Sequence, residues 1–63
     1  MKLTPTQQQT IETDKSFYAK LNAEFNVLGE AKHKRGFVVC ELVYENGTTA
    51  KVMIGKRGNS ICE

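Results

Sequence analysis

Phe37-Val38-Val39-Cys40-Glu41-Leu42-Val43-Tyr44, then Glu45-Asn46-Gly47-Thr48, then Ala50-Lys51-Val52-Met53-Ile54 reads as a β-hairpin, and this stretch sets the class of the fold. Branched and aliphatic residues dominate both arms, and Asn-Gly between apolar runs is a strong turn signal. The charges decide the register. A two-residue Asn46-Gly47 turn would pair Glu45 with Thr48. It would also set Lys51 beside Leu42 and Glu41 beside Val52, leaving a charge among apolar residues on each face. A three-residue loop, Glu45-Asn46-Gly47 with Gly47 in the left-handed bulge position, moves the pairing by one residue. Val38, Cys40, Leu42 and Tyr44 then meet Ile54, Val52, Ala50 and Thr48 on one apolar face. Glu41 stands opposite Lys51 on the other, a pair contributing about 0.2–1 kcal/mol. The second register satisfies both faces and is the expected one.

That register divides the hairpin. Val38, Cys40, Leu42, Tyr44, Val52 and Ile54 form the face that a helix should cover. Phe37, Val39, Val43 and Met53 form the opposite face, around the Glu41–Lys51 pair. A single helix covers one side of a sheet. The second face is therefore a candidate interface, unless Ile61 and its neighbours fold back over it.

Outward toward the N-terminus, Thr4 is a good N-cap, Pro5 suits the first helical position, and Gln7 completes a Thr-x-x-Gln capping box. Leu3 has no apolar staple partner, because Gln8 occupies the place where one would stand. Ile11, Tyr18, Leu21, Phe25 and Leu28 follow a helical spacing, with Phe17 beside them. The pattern predicts a helix from about Pro5 to about Phe25, stopped by Asn26 or Gly29. Residues 27–31 fit either a short strand or the helix exit. The expected class is α+β: an N-terminal amphipathic helix on a small antiparallel sheet of two or three strands, in α-β-β-β order.

Size and composition narrow the function. A chain of 63 residues makes one domain, 1–63, close to the lower limit for folding without staples. A total stability of roughly 3–9 kcal/mol leaves little to offset the strain of a deep catalytic cleft. The 40% hydrophobic and 25% charged content is that of a folded globule and too apolar for a disordered tail. The net charge of +2 demands neither nucleic acid nor an anionic membrane. No apolar run is long enough to span a bilayer, and the first residues are polar where a signal peptide would be apolar. A cytoplasmic protein is expected, with Cys40 and Cys62 as free thiols. Two cysteines and one histidine, His33, do not make a structural zinc site.

Catalytic patterns are weak. His33 has no cysteine, serine or carboxylate at a motif spacing, Cys40 falls on the core face, and the carboxylates are scattered. Asn46-Gly47-Thr48 matches a glycosylation sequon but is better explained by the turn. No enzyme activity, cofactor, metal or small-molecule substrate is expected.

Hairpin geometry should bring Lys32, His33, Lys34 and Arg35 near Lys56 and Arg57, a cluster suited to phosphates or an acidic protein surface. Its plain alternative is a solvated loop that keeps the protein in solution. No aromatic residues interleave with these cations, so a base-stacking platform is unsupported. Ile54-Gly55-Lys56-Arg57-Gly58-Asn59-Ser60-Ile61 locally resembles the Ile-Gly-x-x-Gly-x-x-Ile signature of KH-type RNA-binding domains. In that family the loop joins two helices and its backbone clamps nucleotide phosphates. Here a strand precedes it, so a glycine turn ending the strand is expected. The order of helix then strands is also similar to the first part of double-stranded-RNA-binding domains, whose basic second helix this sequence lacks.

The expectation is a small stoichiometric binding protein of the inhibitor or adaptor kind, such as a phage or bacterial regulator. It would meet a partner protein, or a second copy of itself, through Phe37, Val39, Val43 and Met53, with Lys56 and Arg57 on its basic rim. The alternative is nucleic-acid binding through Lys32, Lys34, Arg35, Lys56 and Arg57.

Overall fold

In the computed structural model, which describes residues 3–62, Thr4 opens the helix with the expected capping box. Its hydroxyl oxygen accepts the Gln7 backbone N–H at 3.1 Å, and the Gln7 side-chain oxygen accepts the Thr4 N–H at 3.0 Å. Helix α1 (Pro5–Ala19) is shorter than the apolar stripe predicts. It ends in a Schellman arrangement. Asn22 adopts a φ of 59°. The Ala23 N–H donates back to the Tyr18 carbonyl at 3.0 Å, and the Asn22 N–H to that of Ala19 at 3.1 Å. Asparagine tolerates left-handed geometry better than most residues with a side chain, so the stop is Asn22, ahead of Asn26 and Gly29. The stripe is split accordingly. Ile11 and Tyr18 reach the core from the helix, Phe25 reaches it from a strand, and Leu21 is exposed in the turn. Phe17 is also exposed, with its ring edge-on to Tyr18, and Tyr18 stacks on Phe25 at 6.0 Å.

Strands β1 (Glu24–Glu30), β2 (Val38–Val43), β3 (Thr49–Ile54) and β4 (Ser60–Cys62) follow as an antiparallel meander in that spatial order. The α+β class holds; the sheet has four strands where two or three are expected, because residues 24–30 and 60–62 pair as well. β2 and β3 take the register the charges predict, with Val38 opposite Ile54, Cys40 opposite Val52 and Glu41 opposite Lys51. The Tyr44 N–H donates to the Thr48 carbonyl at 2.8 Å and the Gly47 N–H to that of Tyr44 at 2.9 Å, around a Gly47 φ of 89°. The Asn46 side-chain oxygen accepts the Thr48 N–H at 2.9 Å, the turn role expected of the sequon.

Gly55 to Asn59 repeat this turn. The Gly55 N–H donates to the Asn59 carbonyl and the Gly58 N–H to that of Gly55, both at 2.9 Å, with a Gly58 φ of 85°. The Gly-x-x-Gly stretch thus joins two strands, whereas a KH loop joins two helices.

The core lies between α1 and one face of the sheet. Val38, Cys40, Leu42, Val52 and Ile54 are buried there with Phe25, and Leu3, Ile11, Tyr18, Tyr44 and Ala50 pack around them. Each fully buried large aliphatic contributes about 1.5–3 kcal/mol. Gln7 is the one buried polar residue among those described. Its amide nitrogen donates to the carbonyls of Gly36 at 2.9 Å and Ile54 at 3.3 Å. One turn further on, Thr10 donates to the Gly58 carbonyl at 3.3 Å, and Ser60 donates to Asp14 at 3.2 Å. The shortest Cα dimension is 17 Å, enough for one helix layer on one sheet.

Candidate functional site: a groove on the outer sheet face

The side of the sheet turned away from α1 is built in rows by the pairing. Gly29, Val39, Met53 and Ile61 stand side by side, one from each strand. Asn26, Glu41 and Lys51 form the next row, then Glu24, Val43 and Thr49. Val39 and Met53 are therefore direct neighbours, while Val43 is separated from them by the polar row. Ile61 extends the apolar row beyond Met53 and does not fold back over it.

β1 raises one wall above this row. Val27 faces Cys40 and Gly29 faces Val39, so Leu28 is an extra residue, a β-bulge. Leu28 is 55% exposed, and Gly29 takes a φ of 143° that a side chain would resist. The loop 31–37 forms the end wall. Its base is closed by the Ala31 N–H donating to the Phe37 carbonyl at 2.9 Å, and a turn within it by the Phe37 N–H donating to that of Lys34 at 3.2 Å.

Further contacts pin the loop. Phe37 points toward the β3–β4 turn, where a Cβ on Gly55 would lie 3.1 Å from its ring. The Lys34 ammonium sits 5.0 Å from that ring's centroid, a cation–π contact. The stem of Lys56 packs against Gly36, and the Gln7 amide holds the Gly36 carbonyl. The two basic loops do meet at one end of the sheet, as hairpin geometry requires.

Together these elements border an open groove of about 630 Å³. Val39 and Met53 form its floor, and Leu28 and Gly29 its side. Lys32, His33, Lys34 and Lys51 line its rim, and Glu30 is the one carboxylate among the lining residues. Phe37, Val43, Arg35, Lys56 and Arg57 lie outside it. Leu28, Gly29, Glu30, Ala31 and Lys51 are the lining residues that sequence reasoning did not assign to a site. The signal for the first two was a glycine directly after the Val27-Leu28 pair, which broke the alternation of a strand.

The thiols lie elsewhere. Cys40 is fully buried, and burial, with Asp14 adding to it, pushes its thiol up to about 11. Cys62 is exposed, and both cysteines are free. They flank Val52 on the same face, about 10 Å apart across two strand spacings, too far for a disulfide. Among the described residues no three of His, Cys, Asp or Glu gather as metal ligands would. No helix among them is long and apolar enough to cross a membrane. The chain matches no protein-family model, no curated protein and no solved structure.

Proposed function

We propose that this protein acts by binding a partner protein through the outer-face groove, as a stoichiometric inhibitor or adaptor, with no chemistry of its own. The observation that carries this reading is the groove itself: an aliphatic floor of Val39 and Met53 with a rim of lysines. Val39 and Met53 are the apolar anchors, and Lys32 and Lys51 fix orientation from the rim. Burying such anchors supplies most of the affinity, while rim charges chiefly set specificity and encounter rate.

Met53→Glu and Val39→Glu test it. Both side chains face away from the core, so the variants should keep the wild-type circular dichroism spectrum. Each should lose the partner captured from host lysate by the wild type. Capture that survives both substitutions sinks the reading.

The packing of Lys56 against Gly36, which joins the two basic loops, favours nucleic acid as a second reading. It requires that Lys56→Ala with Arg57→Ala weaken binding and lower its salt dependence. It also requires that nuclease release whatever the protein captures.

A further inference from the structure

Resting on the groove as the binding site, we infer that its occupant is an extended acidic segment of a partner protein, with carboxylates flanking an aliphatic residue. Four observations support this. The floor is aliphatic and narrow, Val39 beside Met53 in one row with Leu28 rising at the side, which suits a single aliphatic side chain. No Phe, Tyr or Trp lines the groove and His33 is the one ring at its rim, so a run of stacked bases has no platform there.

The rim is unbalanced in charge. Lys32, Lys34 and Lys51 line the groove against the single lining carboxylate of Glu30, and Glu41, opposite Lys51 on the same face, offsets part of that lysine's charge. A segment carrying carboxylates on both sides of its anchor would meet cations from the loop at one end and Lys51 at the other. A basic segment would meet repulsion at both.

The loop also offers backbone donors. Among the described residues, no backbone carbonyl accepts the N–H groups of Lys32, His33, Lys34 or Arg35. Of these, Lys32, His33 and Lys34 border the groove, and their N–H groups can donate to carboxylate oxygens, or to the backbone of an extended chain.

The test uses the whole protein, uniformly labelled with ¹⁵N, and two mixtures of hexapeptides. One is randomised over Asp, Glu, Leu and Val; the other has Lys and Arg in place of the acids. The acidic mixture should shift the amides of Leu28, Gly29, Lys32, Val39 and Met53, and bind about tenfold more tightly than the basic one. That preference should fade as salt is raised to about 0.5 M, and vanish in Lys32→Glu with Lys51→Glu. Lys56→Ala with Arg57→Ala should leave it intact.

Equal binding of both mixtures, lost only in Met53→Glu, overturns the acidic preference but leaves the groove as the site. Failure of both mixtures to shift those amides overturns the preference too. If host capture also survives Met53→Glu, the groove reading fails with it. A single-stranded oligonucleotide that shifts the same amides more strongly than the acidic mixture overturns the inference in favour of nucleic acid.

Discussion

Gln7 closes the capping box with its amide oxygen while its amide nitrogen holds the carbonyls of Gly36 and Ile54. Those acceptors fix the amide's orientation, since only the nitrogen can donate to both. Gln7→Ala leaves two partly or fully buried carbonyls without their donor and should cost roughly 1–3 kcal/mol in urea denaturation. Gln7→Glu should cost more at neutral pH, because it sets a carboxylate against the same two carbonyls; equal losses would mean that the cap, and not the bridge, is what matters. At Cys40 the argument concerns protons. Its thiol is raised from 9.0 to about 11 by burial first and Asp14 second. The folded state therefore keeps a proton that the unfolded chain releases. The stability from this group is complete below pH 9 and falls as pH rises through about 11. Tyr18, raised by burial and then by Tyr44, Asp14 and Cys62, adds a loss of the same sign in alkali. Thermal melts from pH 8 upward should show the decline, and Cys40→Ala should be less stable at pH 8 but decline less steeply.

At the scale of elements, the two hairpin turns share one hydrogen-bond pattern in different surroundings. A Cβ on Gly47 would meet open space, whereas one on Gly58 would lie 2.8 Å from the Thr10 hydroxyl and 2.9 Å from the Thr6 methyl. Gly47→Ala should thus cost only the left-handed penalty of about 1–2 kcal/mol. Gly58→Ala should add about 1–3 kcal/mol of overpacking against α1, and equal melting temperatures for the two variants would contradict the close approach of helix and turn. The same elements show what a sequence makes legible. The β2–β3 register could be read because Glu41 and Lys51 oppose each other in only one pairing that also keeps the core face apolar. The end of α1 was hidden because Leu21 and Phe25 continue its apolar spacing past the turn at Asn22. β1 was hidden because the bulge at Leu28 breaks a two-residue alternation, so 27–31 matched neither period. Val39 and Met53 could therefore be placed on the outer face from alternation alone. The groove could not, since its side wall depends on a bulge and its rim on a loop whose path is set by Gln7, Phe37 and Lys56.

For the whole molecule, one helix on one sheet leaves a single core, and the two thiols report on it separately. Cys62 is exposed and Cys40 is not. A maleimide should label Cys62 at once and Cys40 at least about a hundredfold more slowly, limited by opening of the core. Comparable rates would mean that the core opens locally around β2. The bulge at Leu28 also has a consequence for life in a crowded solution. β1 is a border strand, and a straight border strand is a template on which a second chain can stitch its backbone. Val27 and Leu28 are both exposed there, the composition that favours such stitching. The extra residue bends the strand, and Glu24 and Glu30 place like charges at its two ends. Deleting Leu28 would restore an unbroken pairing with Cys40 and Val39 while removing the groove's wall. Sedimentation of that variant should show stronger concentration-dependent association than the parent shows. The residue that shapes the groove for a guest would then also be the one that keeps the protein from polymerising with itself.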